Sequence, residues 1–366
     1  MTEILLTIFF ISVLLIFLGS GIWVAISMVG VSSIGMMLFT TRPVGDAMAT
    51  TIWGASSSWT LTALPLFVWM GEILFRTKLS ENLFEGLSPW MQKLPGGLVH
   101  VNVVGCALFA AISGSSAATV ATVGKMSIPE LRKRKYPESI LLGSLAGSGT
   151  LGLLIPPSII LIIYGVTVQE SIAKLFIAGI LPGIMIALIF MTYVMIWSSI
   201  NKKSMPTFKQ DFSFIEKVRK SGKLIPVILL IVSVIGSIYT GIATATEAAS
   251  LGVVGALILS YFQKSLSLKT FKESLLGATK TSCMIAFILA GATFLSLAMG
   301  FTGLPRNLAL WIEGMELSPY VLIFVLMIFY IILGMFLDGI SAVVLTMAII
   351  EPMIRQAGFD MIWFGV

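Results

Sequence analysis

The sequence predicts an all-α polytopic membrane protein, and three observations carry that prediction. The 366 residues are 57% apolar and 11% charged, with a mean hydropathy of +1.02, whereas soluble domains run near half apolar and a quarter charged. The charges separate long uncharged stretches, each near the ~20 residues that carry a helix across a bilayer. Those stretches lack period-2 alternation, and a segment exposed to lipid must satisfy its own backbone, which leaves the helix. Such a composition excludes a soluble enzyme, a nucleic-acid binder and a disordered regulator.

Taken in order, residues 4–19 form the first apolar run. Glu3 precedes it and no Lys or Arg does, so the basic lead of a cleaved signal peptide is missing and the run reads as a span. Residues 21–39, 60–75, 98–112, 139–165, 175–198, 224–239, 248–262, 282–299 and 320–337 follow. Residues 46–58 and 81–93 are too short and too polar to cross. With Trp53, Trp59 and Trp90 in or beside them, they read as interfacial helices or as ordinary surface connectors. Cys106 and Cys283 sit inside apolar runs without metal-ligand spacing and read as packing residues. The methionines are filler in apolar helices rather than a metal ladder.

The two halves of the chain are related. Thr77, Leu79, Asn82 and Leu83 recur 225 residues later as Thr302, Leu304, Asn307 and Leu308, and Gly114, Ser116 and Ala117 recur at the same offset as Gly339, Ser341 and Ala342. Pro129 and Arg132 match Pro352 and Arg355 at an offset of 223. This is an internal duplication, which divides the chain into a first repeat (1–198), a basic linker (199–223) and a second repeat (224–366).

Loop charge orients the repeats. The loops 76–96, 132–137, 199–223 and 264–280 hold 18 of the 23 Lys and Arg residues, so the positive-inside rule places them in the cytoplasm. The opposite loops hold Arg42, Lys174, Arg306 and Arg355, and Lys125 lies within a membrane segment. The net charge of +6 therefore belongs to span flanks and does not point to nucleic acid. Equivalent loops fall on opposite sides, so the repeats are inverted. Residues 98–131 must then enter and leave on one side, as a re-entrant helical hairpin with its tip at 113–116. By the duplication, residues 320–351 form a second hairpin from the other side, with its tip at 338–341. Two opposed hairpins with broken backbone near the midplane are the architecture of a transporter.

The tips carry the candidate chemistry. Ser113, Gly114, Ser115, Ser116 and Thr119 gather hydroxyls where a new helix starts near Ala117. Ser115 or Ser116 can cap that helix, whose free amides and positive dipole end then face an anion; small hydroxyl residues also serve plain helix contacts in membranes. Gly147, Gly149, Thr150, Gly152, Pro156, Pro157 and Ser158 interrupt the following span. Either they free carbonyls as hard oxygen ligands for an alkali cation, or they form a simple proline kink. Asp338, with Gly339 and Ser341 at the second tip, has no basic neighbour in sequence: a bound cation neutralises it, or it caps its own helix. Glu247, in the first turn of a span, admits the same two readings. His100, the only histidine, has no acidic neighbour and lies a helix length from Ser115 and Ser116, which argues against a hydrolase.

Three runs together carry a family resemblance: residues 112–129 (ISGSSAATVATVGKMSIP), 147–165 (GSGTLGLLIPPSIILIIYG) and 241–252 (GIATATEAASLG). In content, order and spacing they resemble the large membrane subunit of TRAP transporters, the DctM type, and the likeness runs the length of the chain. The resemblance implies a secondary importer, not an enzyme, in a bacterial inner membrane. It would couple sodium to uptake of a small organic anion such as a C4-dicarboxylate or sialic acid, with no cofactor beyond the coupling ions. It further implies an elevator of the ion-transporter kind, a small four-helix membrane subunit as partner, and a periplasmic substrate-binding protein that delivers the ligand. On matching positions, the tip at 113–117, the break at 147–158 and the tip at 338–341 would form the sites, with sodium on Ser116, Thr150, Asp338 and Ser341. A stand-alone sodium/dicarboxylate symporter with two hairpins is the alternative.

Two departures from the family pattern stand out. Trp23 follows Gly21 and Ile22 where a proline is usual. The repeat of the 147–158 break, shifted by 223 residues, would fall beyond Val366, so the chain is expected to stop short of one broken span and a following helix.

Overall fold

The computed structural model describes residues 2–77, 79–206, 212–303, 305, 307, 314, 318–335 and 337–366. Among these the chain is helical, with no strand. Its α-helices are α1 (Thr2–Gly19), α2 (Val24–Phe39), α3 (Val44–Ser56), α4 (Ala63–Phe75), α5 (Leu79–Met91), α6 (Val99–Ser113), α7 (Ser116–Lys133), α8 (Glu138–Gly149), α9 (Leu151–Leu154), α10 (Ile159–Thr167), α11 (Ile172–Ile200), α12 (Phe214–Ser221), α13 (Ile225–Tyr239), α14 (Ala245–Phe262), α15 (Leu268–Thr302), α16 (Pro319–Gly334), α17 (Gly339–Gln356) and α18 (Met361–Gly365). Six stretches among the described residues are long and apolar enough to cross a membrane: Glu138–Thr167, Ile172–Ile200, Phe214–Tyr239, Ala245–Phe262, Leu268–Thr302 and Gly339–Gln356. The chain is thus an all-helical, polytopic membrane protein. The repeat positions Leu304 and Leu308, and the basic residues Lys78, Lys209 and Arg306, lie outside the described residues.

The chain forms two compact units, each drawing on both sequence repeats. The larger holds Thr62–Ile162 and Ile172–Lys280, and the smaller holds Met1–Leu61, Ile163–Ser171 and Thr281–Gly365. In the larger unit α4 packs on α14, whose Ala248, Ala249 and Ala256 are fully buried beside Gly252. Small side chains let helix backbones approach closely where lipid offers no hydrophobic drive. Trp69 of α4 adds a polar tie, its Nε1–H donating to Ser274 Oγ at 3.3 Å. In the smaller unit Met36 of α2 and Phe294 and Ala298 of α15 form a buried cluster, covered by Val44, Ala47 and Met48 of α3. A Cβ at Gly291 would lie 2.8 Å from Ala25 O, so α2 and α15 cross almost in backbone contact.

α6 and α7 are a helical hairpin whose two ends meet. The buried Leu98 N–H donates to Tyr136 Oη at 3.1 Å, across the start and finish of the hairpin. Burial pushes the Tyr136 phenol up, so it keeps its proton. With 15 residues, α6 is only about 22 Å long, short of the ~30 Å hydrocarbon core. α8 packs along the hairpin through Asn102, whose Nδ2 donates to Leu141 O at 3.2 Å and Ser144 Oγ at 3.0 Å.

The interrupted span is broken twice. Gly147 and Gly149 close α8, Thr150 is a turn, Gly152 lies in the four-residue α9, and the helix gives way again at Ile155, Pro156, Pro157 and Ser158. Glycine keeps its N–H and can remain helical, whereas two successive prolines remove two donors. The glycines instead permit close approach: a Cβ at Gly152 would lie 2.8 Å from the carbonyl of Ser115 and 2.9 Å from Ser116 N.

Two stability predictions follow from these contacts. Gly152→Ala should cost about 1–3 kcal/mol by overpacking, read as a lower melting temperature in detergent, while Gly143→Ala, with nothing within 4 Å of its Cβ, should leave it unchanged or raise it. Tyr136→Phe leaves the Leu98 N–H unpaired and should cost about 1–3 kcal/mol in the same assay.

Candidate functional site

The first tip is built by its own hydroxyls. α6 ends on Gly114, which is left-handed at φ +59 and whose N–H donates to Ala110 O at 3.0 Å; only glycine takes this conformation without strain. Ser115 is the N-cap of α7, accepting from Ala118 N at 3.4 Å. Thr119 Oγ1 lies 2.7 Å from Ser115 O and 3.0 Å from Ser113 Oγ, so Ser113, Ser115 and Thr119 brace the turn. Ser116, in the first turn of α7, is half-buried and its hydroxyl makes no hydrogen bond among the described residues. Among the predicted tip hydroxyls of 113–119, Ser116 is therefore the one not engaged in bracing the turn.

The tip and the broken span form one joint. Ile159 N–H, the first amide after Pro156, Pro157 and Ser158, donates to Gly114 O at 3.2 Å. A Cβ on Gly114 would lie 2.6 Å from Pro157 O. The Pro156–Pro157 peptide is cis. Because neither proline has an N–H, the carbonyls of Gly152 and Leu153 lose their helical donors; the buried Ser158 hydroxyl donates to Leu153 O. Thr150 is exposed, its hydroxyl donating to Gly147 O at 2.7 Å. Gly71 of α4 completes the packing, since a Cβ there would lie 3.0 Å from Ser113 Cα. Residues 113–119 and 147–158 are thus brought together, combining helix-start amides with freed carbonyls.

The second tip, in the smaller unit, is made differently. Asp338 is the N-cap of α17, its carboxylate accepting from Ile340 N at 3.1 Å and Ser341 N at 3.3 Å. It is exposed, while Ser341 is buried. Gly339 is already helical, so α17 starts two residues earlier in the duplicated register than α7 does. The two helices of this hairpin are joined by Tyr330 Oη and Thr346 Oγ1 at 2.7 Å. Glu247 forms a capping box with Thr244, accepting from Thr244 N at 2.8 Å.

Sequence reasoning did not find the cluster around Arg355. Its Nε donates to Glu351 Oε1 at 3.0 Å, its Nη2 donates to Val168 O at 3.2 Å, and Glu170 Oε1 lies 3.6 Å away. Tyr164 Oη donates to Met361 O at 2.6 Å, a second tie between the end of α10 and the chain after α17. A cavity of about 620 Å³ in this unit is lined by Ser58, Thr167, Thr293, Ser296, Val344 and Glu351, among others, large enough for a small organic acid.

Comparison with known proteins identifies the family. Residues 10–366 match the model for the DctM component of the tripartite ATP-independent periplasmic transporter. A C4-dicarboxylate TRAP transporter large permease protein of Pseudomonas aeruginosa is 32% identical, covering 90% of this chain and 77% of the relative. The 2,3-diketo-L-gulonate large permease protein of Escherichia coli is 31% identical, over 87% of this chain and 75% of the relative. The sialic acid large permease protein of Vibrio cholerae is 30% identical, over 95% and 81%. Those relatives are permeases rather than enzymes, and this chain likewise belongs to the DctM family, the large permease subunits of TRAP transporters of organic acids.

Proposed function

We propose that this permease imports a small organic anion together with sodium by an elevator motion, in partnership with a small four-helix membrane subunit and a periplasmic substrate-binding protein. The observation that carries the reading is the joint between Gly114 and Ile159. It sets amides at the start of α7, suited to an anion, beside carbonyls and the Ser116 hydroxyl, suited to an alkali cation. The relatives named above take a dicarboxylate, a gulonate derivative and sialic acid, all of them carboxylic acids, which favours a carboxylate here. The match to one component of a tripartite system favours the two partners.

The hairpins are read as re-entrant. The short α6 and the Leu98–Tyr136 contact support this for the first. For the second, the contacts of Arg355 with Val168 and Glu170 put two loops assigned outside next to one another. In this reading Ser113, Gly114, Ser115, Ser116 and Thr119 with the 147–158 break serve cargo and sodium in the larger unit, where sodium takes Ser116 and Thr150. Asp338, Gly339 and Ser341 do so in the smaller unit, where sodium takes Asp338 and Ser341.

The test is uptake of labelled carboxylates into proteoliposomes holding the full-length permease, its small subunit and its binding protein, with sodium or potassium outside. Uptake should require both sodium and the binding protein; uptake without the binding protein would support the stand-alone symporter instead. Asn caps a helix as well as Asp does, so Asp338→Asn should keep the melting temperature yet lower sodium-driven uptake about tenfold or more, the scale of a lost ligand contact at a metal site. Wild-type uptake with unchanged sodium dependence in Asp338→Asn would remove Asp338 from the sodium site. Ser116→Ala should raise the sodium concentration for half-maximal uptake without altering the melting temperature.

A further inference from the structure

α12 carries three large apolar side chains that its own unit leaves open: Phe214, Ile215 and Val218 are 70%, 76% and 50% exposed. They share the eight-residue helix with Lys217, Arg219 and Lys220. Its one acidic residue, Glu216, is turned back onto Ser213 N at 3.0 Å in a capping box. Against α12 stands Trp90 of α5. The Trp90 Nε1–H donates to Ser221 Oγ at 2.8 Å, its ring meets Phe214 edge-on at 6.3 Å, and the Lys217 ammonium lies 5.4 Å from its centroid. Lys220 lies 4.2 Å from the Phe212 ring centroid and Lys223 pairs with Glu85. Arg219 is exposed and makes no ion pair among the described residues.

We propose that α12 and Trp90 form a binding site for an anionic phospholipid. Phe214, Ile215 and Val218 enter the boundary between headgroups and acyl chains, Lys217, Arg219 and Lys220 hold the phosphate, and Trp90 marks the boundary, where its amphipathic ring is most stable. The charge fits: a cationic amphipathic helix meets an anionic lipid surface. The position fits as well, because α12 leads through residues 222–224 into the apolar helix α13, so that Phe214–Tyr239 is one continuous helical stretch of 26 residues with the basic turns at its start. Free phosphate would leave the three apolar side chains without a partner, so the occupant is a lipid.

The permease is reconstituted with phosphatidylglycerol or phosphatidylcholine carrying brominated acyl chains, which quench tryptophan on contact. The Trp90 component is the difference between the wild type and Trp90→Phe. It should be quenched at a lower fraction of the anionic lipid than of the zwitterionic one. Arg219→Gln with Lys220→Gln should abolish that preference, on the order of fivefold per basic residue removed, while Arg219→Lys with Lys220→Arg should retain it. Equal quenching by the two lipids in the wild type overturns the proposal whether or not the variants fold. So does a preference that inorganic phosphate abolishes, since the site would then hold the ion and not the lipid.

Discussion

The structure depends on a backbone constraint met by one non-local hydrogen bond. In hydrocarbon every unpaired amide or carbonyl costs several kcal/mol, so a helix cannot stop inside a membrane unless something else completes its ends. The hairpin stops at Gly114 and the span stops at Pro156 and Pro157, and each supplies what the other lacks: Ile159 N–H donates to Gly114 O at 3.2 Å. The bond requires the backbones to touch, which explains the left-handed Gly114 and the glycine at 152 facing the Ser115 carbonyl. The tip cannot part from the broken span without exposing both ends, so the bond ties the two elements to one another.

The duplicated tips meet the same constraint with different chemistry. At the first, hydroxyls do the bracing and the non-local partner is backbone. At the second, Asp338 caps α17 from within, its carboxylate taking two amides. A carboxylate in that place is both a cap and a charge, so capping and cation binding are compatible uses of Asp338, and removing the charge while keeping the cap separates them.

Much of this was legible in the sequence. The composition and the apolar runs give the helices, and the helix breaks at 113–116 and 338–341 stand out because they combine glycine with small polar residues in otherwise apolar stretches. Less legible was what depends on distant partners. Nothing near Gly114 says that Ile159 will bond to it, and nothing near Arg355 says that Val168 and Glu170 will. Asn102 reads as one polar residue in an apolar run, yet it ties the hairpin to α8. α8 does end at Gly149, but that Gly149 and Gly152 also serve as contact surfaces depends on the neighbouring helix, which the local sequence does not name. α12 was missed although its Ser213 and Glu216 spell a capping box, because the dense lysines of that segment read as a polar linker.

The central claim, that residues 98–131 turn back within the membrane, is tested most directly by cysteine labelling from either side. Lys93 and Lys133, both exposed, flank the hairpin. In a background lacking Cys106 and Cys283, Lys93→Cys and Lys133→Cys should react with a membrane-impermeant maleimide from the same side of the membrane. Labelling of the two positions from opposite sides would mean that the segment crosses, and the inverted two-hairpin account would fail.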